Sequence, residues 1–244
     1  MNGAEKAFEK TTNLILGRTL KRLERYGDWL CSDIPKFKMF ETREGKVPMP
    51  NISIYKHIPA DRMAGLDYAE ENSKKKLGIV NPSFPDLANE FKKIGRAVCE
   101  VREGTNTDIE ESNFYLNVQS SYKIAFCFYS KFCAYNIWSS FNDYTFGCYR
   151  NMNGNFSINC YFSTELLRCL EMDACKKCSD SMFCHNCENV HDSLFCFNVK
   201  NMRNAIGNTV VGREKYLEIR GMFVGEILKE LEATGKLGLG IYNI

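Results

Sequence analysis

The 244-residue chain has no long apolar run; nothing in it approaches the roughly 18 uninterrupted apolar residues of a membrane helix. Its opening MNGAEKAFEK carries charge where a signal peptide needs an apolar stretch. Both absences point to a cytoplasmic protein with no membrane partner. Charge of one sign is also missing. Lys plus Arg at 32 against Asp plus Glu at 30 leaves +2, so no whole-chain field selects nucleic acid as a partner. Histidine is limited to His57, His185 and His191, and no glycine-rich loop follows a strand-like run, so general-base and phosphate-cradling chemistry have little to work with. A composition of 44% hydrophobic and 25% charged residues still suffices for one or two folded domains.

What the chain has in excess is cysteine. Ten of its 12 cysteines fall between Cys127 and Cys196. Without a secretion signal, reduced thiols are the better expectation than a disulfide framework.

Around this block the pattern is helical. Phe8, Ile15, Leu16, Leu20, Leu23, Tyr26 and Leu30 fit one amphipathic helix from about Glu5 to Leu30. Four prolines, Pro35, Pro48, Pro50 and Pro59, exclude a long helix between Ser32 and Ala60 and suggest an arm or covering loop. A short helix is expected over Asp61 to Lys76, with Gly78 as a left-handed cap. Leu87, Phe91, Ile94 and Val98 predict another, starting near Asp86 and ending near Gly104. Arg213 to Thr234 carries a broad stripe of Leu217, Phe223, Val224, Ile227, Leu228 and Leu231, with Gly235 as the stop; Gly221 and Gly225 suggest close approach of another backbone.

The middle of the chain repeats every 12 residues. Cut from Ser121, it reads SYKIAFCFYSKF, CAYNIWSSFNDY, TFGCYRNMNGNF, SINCYFSTELLR, CLEMDACKKCSD, SMFCHNCENVHD and SLFCFNVKNMRN without gaps. Column one is small (Ser121, Cys133, Thr145, Ser157), and column two is mostly apolar (Tyr122, Phe146, Ile158, Leu170). Column four mixes Ile124, Met172, Cys148, Cys160, Cys184 and Cys196. A unit this short suits strands joined by turns, stacked as a β-solenoid. Columns two and four lie two apart, so simple strand alternation places both inside. Cysteine then acts as a compact core residue. The asparagines Asn151, Asn153, Asn186, Asn189, Asn198 and Asn201 are natural corners, since Asn tolerates left-handed backbone.

In period and cysteine use the segment resembles the 12-residue coils of beetle antifreeze proteins, which implies a narrow β-helix. That family's Thr-x-Thr array has no counterpart here, so the ice-binding activity is not implied. The block also resembles Cys- and Asn-rich repeat segments of uncharacterised prokaryotic proteins, which implies no function.

The sharpest chemical pattern is Cys175, Cys178, Cys184 and Cys187, two C-x-x-C pairs whose thiolates have the chemistry to hold zinc, with His185 or His191 as substitute ligands. The five-residue gap between the pairs is shorter than in familiar zinc folds, and three of the four occupy columns shared with apolar residues. A thiolate from Cys184 or Cys187 with His191 as base is a weaker alternative, because such thiols need an open, electropositive setting. Aromatics such as Phe126, Tyr129, Trp138, Phe141, Tyr149 and Phe162, interleaved with Lys123, Lys131, Arg150 and Arg168, suit either a stacking platform or ordinary packing; packing is the commoner use.

The expected architecture is α+β. A helical region with a Pro-rich arm spans 1–108, a Cys-rich β-solenoid 109–208, and a C-terminal capping helix with its tail 209–244. The expected role is non-catalytic: a structural or assembly protein whose partner is protein, as a homo-oligomer or larger assembly, without a cofactor. A zinc-binding module is the alternative, and a groove-based enzyme stands behind it.

Overall fold

A computed structural model describes residues 2–42, 45–50, 57–76, 78, 81–98 and 100–244. Its centre is a β-solenoid of about nine turns. Parallel ladders pair each residue with the one 12 positions on, as in Asp143↔Asn155, Ser157↔Cys169, Met172↔Cys184 and Ser193↔Ala205. The first turn is one residue longer: Arg102 pairs with Tyr115 but Thr107 with Gln119, so the extra residue falls between Gly104 and Thr107, and Gly104, with φ 74, is the corner facing Asn117.

The turns are built on a period of three. From Asp108 to Gly207 every third residue has positive φ, near 50° in most cases, aromatic residues such as Phe126, Trp138 and Tyr144 included. Each such residue bends the chain at a corner, so four three-residue sides close one 12-residue turn. Asn153, Asn186, Asn189, Asn198 and Asn201 are corners as expected, whereas Asn151 is fully buried inside.

The corners also change which columns share a face. Lys123, between Tyr122 and Ile124, is left-handed, so those two residues do not point to the same side. Column four lies in the solenoid interior, where Cys148, Cys160 and Cys184 are fully buried. Column two faces outward and packs Phe146, Ile158, Leu170, Met182 and Leu194 against the flanking helices. Strand alternation fails here because a left-handed residue interrupts it.

Helix α1, Asn2–Leu16, lies along the column-two face, with Phe8 edge-on to Phe146 at 5.2 Å. It stops at Gly17 (φ 69), short of the expected Leu30. The apolar residues beyond are buried by a broken path through a 3-10 turn, Leu23–Tyr26, and α2, Gly27–Leu30. The Glu5 carboxylate accepts the amides of Arg22 and Leu23 (2.6 and 2.8 Å), an anchor from α1 that makes the second start possible.

Part of the expected Pro-rich arm is a hairpin pairing Phe37–Thr42 with Gly45–Pro50; residues 51–56 lie outside the described residues. Helix α3 is only Leu66–Asn72, and Gly78 is not left-handed, so the expected cap is absent. Helix α4, Phe84–Ile94, is started by a capping box between Ser83 and Asp86 and ends at Gly95, earlier than expected. Its stripe is not buried: Phe84, Leu87 and Phe91 are exposed.

Helix α5, Arg213–Thr234, has the expected bounds, with Gly235 left-handed after it. Val224, Ile227 and Leu231 are buried and Phe223 packs on Phe183 and Phe195, so most of the stripe is satisfied within one chain. Tyr216 donates its hydroxyl to the Asp180 carbonyl, which places α5 along the flank of the late turns. Leu217 is exposed, and among the described residues no other backbone lies within 4 Å of a side chain's first carbon at Gly221 or Gly225.

A left-handed corner costs a side chain about 1–2 kcal/mol unless it is glycine. At the exposed corner Lys177, Lys177→Val should therefore melt lower than Lys177→Gly by about that amount. Equal melting would contradict the corner assignment.

Candidate functional site

The parallel ladder uses two of every three backbone amides. Tyr122 donates forward to the Cys133 carbonyl and Tyr135 backward to the Tyr122 carbonyl, a pattern that recurs along the solenoid. The third amide belongs to the inward residue and lies inside, where an unpaired donor costs about 1–3 kcal/mol. Side chains one turn earlier supply the acceptor. Ser121 Oγ takes the Cys133 amide, Asn136 Oδ1 the Cys148 amide and Ser163 Oγ the Cys175 amide, at 3.3, 2.9 and 3.0 Å. Cys175 Sγ does the same for Cys187 at 3.4 Å.

The same hydroxyls and thiols donate to carbonyls. Cys133 Sγ reaches those of Lys131 and Asn142 at 3.2 and 3.4 Å, and Ser163 Oγ that of Tyr161 at 2.8 Å. Cysteine is therefore more than the compact hydrophobe expected: it stands in for serine. Burial pushes the Cys133 and Cys169 thiols up to about 12.

All four expected metal ligands lie inside and are at most 2% exposed. Cys175 Sγ donates to the carbonyls of Asp173 and Cys184, Cys178 Sγ to that of Lys176, and Cys187 Sγ to those of His185 and Cys196. Hydrogen bonding to Cys178 and Cys187, then burial, holds the Cys175 thiol well above its usual range. Among the described residues no group of three His, Cys, Asp or Glu is arranged to hold a metal ion.

The substitute ligands are elsewhere. His185, half exposed, pairs its Nδ1 with Asp173 Oδ2 at 2.8 Å, and His191 pairs with Ser179 Oγ at 2.8 Å. Cys184 thus lies inside while the neighbouring His185 lies outside, and a thiol–imidazole couple between Cys184 and His191 is not formed.

Outside, the aromatics form ladders. Tyr129 stacks on Phe141 at 5.2 Å and Phe114 on Phe126 at 4.6 Å, while the Arg150 guanidinium sits 4.6 Å from the Trp138 ring. Phe146 and Tyr161 are buried, but Tyr129, Phe141 and Phe162 are about half exposed, so packing accounts for only some of them.

A polar latch that sequence reasoning missed ties down the C-terminal tail. Glu171 Oε1 accepts from Asn159 Nδ2 (2.7 Å) and Oε2 from the Ile241 amide (3.0 Å); Tyr242 donates to Asp173 Oδ1 at 2.8 Å. Beside it opens a cleft of about 580 Å³ lined by Phe183, His185, Phe197, Ile241 and Tyr242. The available signal was the pair of acids in LRCLEMD, a strand whose other residues are apolar except Arg168.

No protein-family model matches the chain, and no curated protein matches it in sequence. Among the described residues no helix is long and apolar enough to cross a membrane.

Burial pushes the Glu171 carboxyl up to about 7, against the pull of the hydrogen bonds from Asn159 and Ile241. The folded state therefore holds this proton more tightly than the unfolded chain, and stability should be lost as pH rises from about 4.5 through about 7, by roughly 3 kcal/mol for this group. Denaturant midpoints from pH 5 to 8 should show this loss, and Glu171→Gln should flatten it. An unchanged pH slope in the variant would contradict the assignment.

Proposed function

We propose that this is a non-catalytic structural protein, its solenoid a rigid element of a protein assembly formed with copies of itself or as part of a larger one. The observation that carries the reading is the interior. Many of its inward hydroxyls, amides and thiols bond the protein's own backbone, the buried Asn151 carboxamide being an exception, so the cysteine-rich core serves rigidity. Stacked turns with parallel ladders add a stiff, quasi-one-dimensional frame, the kind of object repeat proteins use to present extended surfaces. The described cysteines are free, which fits a reducing, cytoplasmic setting.

A zinc module built on Cys175, Cys178, Cys184 and Cys187 remains the competing proposal. It requires these sulfurs to leave their carbonyl partners and ionise together. Sedimentation analysis combined with metal analysis separates the two. The structural reading expects a mass above that of the monomer, rising with concentration, and no stoichiometric metal. A monomer at all concentrations, or one tightly held zinc per chain lost together with the fold on chelation, would overturn it.

A further inference from the structure

We propose that the cleft between the late solenoid turns and the C-terminal tail is a binding site for a small aromatic molecule that carries a hydroxyl group. The inference stands apart from the assembly reading and requires no reaction.

The cleft is built from two parts of the chain. Phe183 and Phe195, on successive turns, stack on each other at 5.4 Å and are backed by Phe223 of α5. The tail contributes Ile241, Tyr242 and Ile244. It is held in place by Glu171, which accepts the Ile241 amide, and by Asp173, which accepts the Tyr242 hydroxyl. At about 580 Å³ the cleft falls within the roughly 300–1,000 Å³ of small-molecule sites, and like them it is lined mainly by aromatic and aliphatic side chains. Single exposed apolar residues need no explanation, but Phe197, Tyr242 and Ile244, each more than half exposed, all line this one cleft.

The polar requirement comes from His185. The Asp173 side chain is 9% exposed and accepts from Tyr242 on Oδ1 and from His185 Nδ1 on Oδ2, each at 2.8 Å. A carboxylate only accepts, so Nδ1 carries the hydrogen and the neutral imidazole keeps its lone pair on Nε2. The other polar side-chain atoms of the lining are spent: the Tyr242 hydroxyl on Asp173, and Cys196 Sγ on the Leu194 carbonyl. His185 Nε2 has no partner among the described residues. A ligand hydroxyl supplies the missing donor, whereas an anionic group would meet a lone pair with the Asp173 charge behind it. Flat rings suit the rest of the lining, because Phe183, Phe195, Phe197 and Tyr242 can receive them offset or edge-on.

The site is also remote from the longest run outside the described residues. Met49 and Ile58, which flank residues 51–56, pack with Phe114 and Phe126. Those rings lie about five turns before Phe183, or about 24 Å at about 4.8 Å per turn, farther than six residues that must return can extend.

Equilibrium dialysis of the whole chain tests the proposal with β-naphthol and its methyl ether, which share a ring system and differ in the donor. Wild-type protein should bind β-naphthol at about one per chain and at least about tenfold more tightly than the ether. His185→Leu should reduce that preference to within about twofold, and Phe197→Asp should weaken both ligands at least about fivefold. Both residues are half exposed, so circular dichroism should stay unchanged. Because the chain has only three histidines, the ring-proton resonances of one of them should be seen to shift as β-naphthol is added. No β-naphthol binding up to its solubility limit, equal binding of the two ligands, or a preference that His185→Leu leaves intact would overturn the proposal. Binding that Phe197→Asp leaves unchanged would overturn it as well. Should a variant fail to fold, the wild-type preference and the histidine shift decide, and the absence of either counts against the site.

Discussion

The structure depends on one buried donor. In a solenoid whose chain turns every third residue, the backbone ladder pairs only two of three amides, and the third is left facing a space too narrow for water to be an ordinary partner. Every inward side chain is therefore under two demands: it must be small enough for four sides to close, and in many turns it must offer an acceptor to the amide stacked on it. Serine, asparagine and cysteine meet both. Their abundance in the middle of the chain follows from the backbone.

Size and polarity then divide the labour between the two sides of the wall. Most large residues stay out of the interior, so tyrosine, phenylalanine and leucine collect mainly outside, although Leu166 and Met172 are buried among the interior thiols. Column two joins α1 and α5 in the main apolar core, while the interior forms separate, thiol-rich clusters. The helices thus cover a solenoid face with apolar burial that the interior is too narrow to supply, and the tail closes over Glu171 and Asp173.

The 12-residue period, the β-solenoid and the bounds of α5 were legible in the sequence, because a repeat without gaps and a stripe bounded by Gly235 are strong local signals. The three-residue period was hidden. Aromatic residues at left-handed corners contradict ordinary propensity, so Phe126 and Trp138 read as strand rather than corner, and only the ladder's cooperative hydrogen bonding holds them there. The same blindness put columns two and four on one face. The break after Leu16 was invisible because Leu20, Leu23 and Tyr26 are buried whether the path is one helix or two. Glu171 and Asp173 went unnoticed because their partners, Ile241 and Tyr242, lie about seventy residues away. The four C-x-x-C cysteines stood out by their spacing, but spacing alone did not disclose that their sulfurs face the backbone.

The most direct measurement of the central claim is the stability of Ser163→Ala. Ser163 Oγ takes the Cys175 amide and donates to the Tyr161 carbonyl. Alanine is close in size and apolar, so an interior governed by hydrophobic burial would tolerate or welcome it. An interior governed by its inward amides predicts a loss of at least about 1 kcal/mol in chemical denaturation, with the fold retained. A variant as stable as the wild type, or more so, would contradict the account.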